Sequence, residues 1–157
     1  MTQNEQEILI GLLESFLDDS LITEVLEVVQ SGKEATVFRC RAAPSTRQRY
    51  FAAKVYRPMN RRNFRNDGIY QQGRVILDSR ARRAFKRNTG FGKQVQQTLW
   101  ANAEFETQQM LYDAGADVPR PWKCKGNAIL MEWLGDDSRA AGQLRHAQLE
   151  RAEAPTV

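Results

Sequence analysis

Three groups of residues in this 157-residue chain have types and spacings that could do chemistry. The first is Lys54, a single lysine inside the apolar run Tyr50-Phe51-Ala52-Ala53-Lys54-Val55-Tyr56. An ammonium taken out of water without a partner costs several kcal/mol even after relaxation, so Lys54 calls for a carboxylate, a phosphate or both. Period-two alternation puts Phe51, Ala53 and Val55 on one face and Ala52, Lys54 and Tyr56 on the other. The small Ala52 leaves room beside the lysine for something flat. Taken alone, Lys54 is explained as well by an edge-strand lysine that reaches solvent along its own stem. The second group is Ser31-Gly32-Lys33-Glu34, a turn cluster between two Val-, Phe- and Thr-rich segments, where glycine lets backbone N–H groups approach an anion. It is neither of the familiar glycine-rich phosphate signatures, and most such turns are only hairpin connections. The third is Glu104, on a helix that follows the lysine strand.

The elements that must position these groups are legible from periodicity. Strands are predicted over Glu24–Gln30, Thr36–Arg41 and the Lys54 run, with the polar turn Ala43-Pro44-Ser45-Thr46 between the second and third. A helix is predicted over Gly92–Ala114, its buried stripe formed by Trp100, Ala103, Thr107, Met110 and Ala114, with Glu104 at the stripe's margin. Gly115 is the expected stop, and Pro119 and Pro121 force an extended connection. Trp122–Lys125 and Ala128–Trp133 form a hairpin across Gly126-Asn127. Before the sheet, Ile8, Leu9, Leu12, Leu13, Phe16 and Leu17 mark one amphipathic helix over residues 3–17, with Thr2 and Glu5 as its capping box. It is expected to pack on its own sheet. After Gly135, Asp136–Glu153 reads as an alanine- and charge-rich helix.

The run SGKEATVF at 31–38, followed by AAKVY at 52–56, resembles the amino-terminal lobe of the RIO family of atypical serine/threonine kinases and ATPases. Further matches keep the family's order: Phe64, Tyr70 and Gly73; Trp100-Ala101 with Glu104; Ala114-Gly115 leading to Val118-Pro119 and Pro121; and Ile129 through Gly135. Together they cover roughly residues 21–137. The resemblance implies an α+β fold of the protein-kinase N-lobe type. Its twisted antiparallel sheet has about five strands with one packed helix, αC-like, and an amphipathic helix precedes it. It divides the chain into an amino-terminal helix (1–20), the lobe (21–137) with a basic flexible insertion at 57–93, and the start of a helical segment after the hinge (138–157).

The resemblance also assigns roles. Lys54 would sit on the α/β-phosphates of ATP with Glu104 holding it, and Ser31, Gly32, Lys33, Glu34 and Ala35 would cover the phosphates. Val37 and Ala52 would contact the base, Met131 would be the gatekeeper, and Glu132 and Leu134 would offer the hinge carbonyl and amide. Ordinary sheet core accounts equally for Val37 and Met131. The family's second lobe carries a catalytic aspartate and a metal-binding asparagine in a His-Gly-Asp type segment, and a further aspartate for magnesium. None of these occurs in the 157 residues. The expectation is therefore the nucleotide-gripping lobe of a kinase or ATPase, inactive by itself, with magnesium bound only together with the second lobe.

Composition limits the alternatives. The net charge of +4 is uneven: residues 57–93 hold eleven Lys/Arg against two Asp, a balance of +9, and the remainder balances at −5. A local basic segment is a footprint for something anionic or else a solvated loop, and the family resemblance implies RNA or a ribosomal particle as the anionic partner. A lobe that never had a partner lobe and uses this segment to clamp nucleic acid is the competing reading. A short basic helix is expected over residues 77–87. No apolar run is long enough to span a bilayer, and Glu5 and Glu7 stand where a secretion signal would be basic, so a cytoplasmic location is expected. Cys40 and Cys124 lack metal-ligand or disulfide spacing and are expected to be free, buried thiols. His146, the only histidine, lies in a polar tail without an orienting partner.

Overall fold

The computed structural model describes residues 2–57 and 90–143, with side chains from Thr98 onward in the second segment. The basic stretch at 58–89, including the expected helix at 77–87 and the matches at Phe64, Tyr70 and Gly73, lies outside the described residues, as do His146 and the rest of 144–157.

Among the described residues, five strands form one antiparallel sheet: β1 (Ile22–Ser31), β2 (Ala35–Ala42), β3 (Tyr50–Tyr56), β4 (Pro121–Lys125) and β5 (Ala128–Glu132). Their spatial order is β1-β2-β3-β5-β4. The first three follow one another through short turns, whereas β5 reaches β3 only after the helix α3 (Gly90–Asp113) and the β4–β5 hairpin. Among the described strands β1 is an edge, and its register against β2 shifts three times, which bends it away from flat pairing.

Alternation gives the sheet two different faces. On one, Phe38, Cys40, Phe51, Ala53, Val55, Ala128 and Leu130 are buried together. They are sealed by Leu9, Leu13 and Phe16 from the amino terminus, which confirms that this segment packs on its own sheet. The capping box is also present: the Glu5 N–H donates to Thr2 Oγ1 and the Thr2 N–H to Glu5 Oε2. The segment is not one helix, however. It divides into α1 (Gln3–Gly11) and α2 (Glu14–Asp18), with Leu12 and Leu13 in a turn closed by the Leu13 N–H on the Ile10 carbonyl. Gly11, a poor helix former, stands at the break, and the bend lets Leu13 and Phe16 both become fully buried. Lys125 ties the β4–β5 hairpin to α2 through Asp19 and the Ser15 carbonyl.

On the other face α3 packs on β4 and β5, with Ala101 buried against Tyr56 and Ile129 and with Phe105 beside them. The stripe predicted for this helix is turned. Met110 is 71% exposed, and Trp100, Ala103 and Thr107 line a cavity, while the row against the sheet is Ala101, Phe105 and Gln108. Helical period identifies rows but not which row the sheet covers, and the small Ala101 permits the close approach. Gly115, at φ 80°, ends the helix in the left-handed region as expected. The hairpin turns through Gly126-Asn127, and Asn127 exchanges bonds with the Tyr56 backbone at the end of β3. The helix expected from Asp136 onward does not form over 136–143, where a bridge between Gly135 and Ala140 closes a tight turn instead. Among the described residues no helix is long and apolar enough to cross a membrane.

If α1 and α2 are part of the core, Phe16→Ala should lower the unfolding free energy by about 3 kcal/mol or more in a denaturant titration. A loss below about 1 kcal/mol, of the size seen at surface sites, would show the amino-terminal segment to be peripheral.

Candidate functional site

Lys54 sits on the sheet face opposite the main core, with Val37 across from it on β2 and Ile129 across from it on β5. Its Nζ lies 2.6 Å from Glu104 Oε1, so the strand cation meets the helix carboxylate. The side chains are 28% and 38% exposed, so the pair alone contributes only about 1 kcal/mol to stability. Its value is geometric, because it fixes the ammonium at one point above the sheet.

Two further contacts hold that geometry. Tyr56, on the same face two residues along, donates its Oη–H to Glu104 Oε2. Both carboxylate oxygens are thus engaged, and the Lys54 ammonium also lies 5.2 Å from the centre of the Tyr56 ring. Sequence reasoning placed Tyr56 on this face without giving it a role. The signal available was the polar tip of a residue two positions from the lysine.

A cavity of about 490 Å³ opens beside the pair. Glu34, Lys54, Tyr56 and Glu104 line its polar side, and Trp100, Leu111, Val118 and Met131 its apolar side. Met131 is steadied by Gln108, whose Nε2 donates to its sulfur at 3.6 Å and to the Pro119 carbonyl at 2.7 Å. Gln108 is a second residue that the sequence reading missed, since only the fold brings it to the strand.

The other expected residues fall in two groups. Ala52 stands opposite Met131 on the Lys54 face and is buried, while Val37 is half-buried beside it. Ser31 ends β1, and Gly32, Lys33 and Glu34 form the exposed turn before Ala35. Gly32 donates its N–H to the Ala35 carbonyl at 2.9 Å and is not left-handed, so its N–H closes the turn. Arg57 fastens the turn from behind: its N–H donates to the Glu34 carbonyl, and its guanidinium to Ser31 Oγ at 2.7 Å and to the buried Thr36 Oγ1 at 3.3 Å. Of the turn residues only Glu34 lines the cavity.

At the far end, the Glu132 N–H donates to the Arg120 carbonyl and the Leu134 carbonyl accepts from the Ala141 N–H. The turn between them is sharply defined. Gly135 has φ 155°, and a Cβ there would collide with the Arg139 carbonyl oxygen. Asp136 Oδ1 accepts from the Ser138 hydroxyl and from the Ser138 and Arg139 N–H groups. The Ser138 hydroxyl and then these backbone donors pull the Asp136 carboxyl down to about 2.

Comparison with known proteins bears on the chain's family and fold. Residues 36–157 match the model of the RIO domain family. The chain is 28% identical over 139 residues to serine/threonine-protein kinase RIO3 of Caenorhabditis elegans, covering 88% of this chain and 24% of that protein. It is 28% identical over 123 residues to serine/threonine-protein kinase RIO1 of Chaetomium thermophilum, covering 78% and 22%. Among solved structures, the Rio2 kinase–ADP/Mg2+–phosphoaspartate complex from Chaetomium thermophilum superposes with a TM-score of 0.58 at 17% identity, covering 90% of this chain and 35% of that one. The fold is thus kinase-like, and the chain spans about a quarter of the length of these curated relatives.

Neither thiol belongs to the site's chemistry. Burial pushes Cys40 up to about 12, and burial, followed by the charges of Glu104 and Glu106, pushes Cys124 up to about 11. Both shifts disfavour the thiolate, so at pH 8 the native chain should react with iodoacetamide at least about tenfold more slowly than the urea-unfolded chain. Equal rates would show that the thiols are accessible.

Proposed function

Because the chain belongs to the RIO domain family, we propose that it is the ATP-binding lobe of a RIO-type serine/threonine protein kinase or ATPase. The observation that carries the reading is the 2.6 Å contact between Lys54 and Glu104 on the wall of one cavity. On this reading Lys54 binds α- and β-phosphate oxygens, and Glu104 keeps it from swinging back along the strand. Tyr56 prevents the carboxylate from rotating away. The turn at 31–35 covers the phosphates, with the Lys33 ammonium beside them and Arg57 bracing the turn.

Of the residues assigned to the base, Met131 lines the cavity, while Ala52 and Val37 lie outside its lining on the same sheet face. Ala52 gives a flat group room against the sheet, Val37 flanks it, and Met131 limits the depth of the slot. With the Glu132 N–H and the Leu134 carbonyl already used, adenine would take the complementary pair, the Glu132 carbonyl and the Leu134 N–H. Bound nucleotide brings the transferable phosphoryl group. The family resemblance assigns the base and the magnesium ligands to a second lobe, so this lobe positions the nucleotide and turnover belongs to the complete protein. Its +9 segment at 57–93 is proposed to contact RNA or a ribosomal particle through phosphates, and the site of action is proposed to be the cytoplasm.

In the complete protein, Lys54→Ala should abolish ATP turnover with the fold intact by circular dichroism. Glu104→Gln should reduce it less, because the lysine keeps a hydrogen-bond acceptor. Undiminished turnover in Lys54→Ala would exclude the assigned role. If the purified chain instead bound RNA with steep salt dependence and gained no stability from nucleotide, the competing nucleic-acid module would be the better description.

A further inference from the structure

Strand β2 carries an arginine whose place the nucleotide reading does not use. Arg39 stands opposite Ala52, which puts it on the same face as Val37 and Lys54, and its side chain is only 13% exposed. The guanidinium carbon lies 5.1 Å from the centre of the Tyr50 ring and 5.5 Å from that of Trp133. The two rings meet edge-on, 6.5 Å apart. One terminal nitrogen donates to the Asp137 carbonyl at 3.1 Å, and the other pairs with Glu27 at 3.0 Å. A single side chain therefore links β1, β2, β3 and the segment after β5.

Glu27 supplies the counter-charge for this mostly buried guanidinium, and the Asp137 carbonyl takes one further donor. The contacts to Trp133 and Asp137 also grip both sides of Leu134-Gly135. The gripped turn is stiff in itself: Trp133 Nε1 donates to the Asp136 carbonyl, and Asp136 and Gly135 fix the rest. A stiff turn moves as a unit, so its distance from Ala52 is set by whatever pins it to the sheet. Arg49 also reaches Asp137, at 2.5 Å, but it is 74% exposed, and an exposed pair of this kind pins weakly. Arg39 is desolvated, stacked and multiply bonded.

We infer that Arg39 is a positioning residue for the adenine end of the nucleotide site: it sets the gap between the sheet and the turn after β5, and thereby the affinity for the base, without touching the phosphates. The inference rests on the function proposed above. It assigns base and phosphate affinity to different parts of the lobe, Arg39 and Trp133 at one end and Lys54 and Glu104 at the other.

Isothermal titration of the 157-residue chain with ATP and, separately, with inorganic tripolyphosphate tests it. Arg39→Met should weaken ATP binding by about tenfold while changing tripolyphosphate binding by less than about twofold. Arg39→Lys should fall between Met and wild type for ATP, because it keeps the charge for Glu27 but loses the planar stack. Trp133→Leu removes the other half of the stack without altering β2 and should reproduce the ATP-selective loss, which keeps the test decisive if Arg39→Met does not fold. Unchanged ATP affinity in these variants, or equal losses for both ligands, would overturn the inference while leaving the nucleotide reading in place. Failure of the wild-type chain to bind ATP would overturn both.

Discussion

A cation on a half-covered face of a sheet is fixed in place when a carboxylate is brought to it, and the architecture outside the main core serves that pairing. Lys54 projects from the middle of the sheet and Glu104 from a helix fifty residues later, meeting at 2.6 Å. For the helix to deliver its carboxylate it must lie close to β4 and β5, which the small Ala101 and the flanking Phe105 permit. It must also end in time for the chain to return as a hairpin, which Gly115 and the following prolines arrange. Tyr56 completes the device by occupying the second carboxylate oxygen.

The two faces of the sheet divide stability from function. The face built on Phe38, Phe51 and Leu130 is sealed by α1 and α2 and makes an ordinary apolar core. That core leaves the opposite face free to carry Lys54, Arg39 and the cavity, features that cost stability or contribute little to it. The same division explains why the turn at 32–34 is exposed yet firmly attached: Arg57 reaches from the end of β3 to hold it against the sheet.

Much of this was legible in the residue pattern. Alternation in β3 correctly separated Phe51, Ala53 and Val55 from Ala52, Lys54 and Tyr56, and the capping box, the stop at Gly115 and the turn at Gly126-Asn127 are local signals that the structure reproduces. The partnership of Lys54 with Glu104 was legible only through family resemblance, because nothing local connects a strand to a helix fifty positions away. What escaped was non-local in the same sense. Which row of α3 meets the sheet depends on Ile129 and Tyr56, the bend at Leu12 on the shape of the core, and the turn after Gly135 on Asp136 capping Ser138 and Arg139. The roles of Tyr56, Gln108 and Arg39 likewise arise from contacts between distant elements.

The central claim is that Lys54 and Glu104 act as one unit toward a triphosphate, and a double-mutant cycle on ATP affinity addresses it directly. The chain carrying Lys54→Met, the chain carrying Glu104→Gln and the chain carrying both would be titrated with ATP and compared with wild type. The account predicts that each single substitution weakens binding and that the double variant loses little more than Lys54→Met alone, because the carboxylate matters only through the lysine. Strictly additive losses, or an ATP affinity indifferent to Lys54, would contradict it.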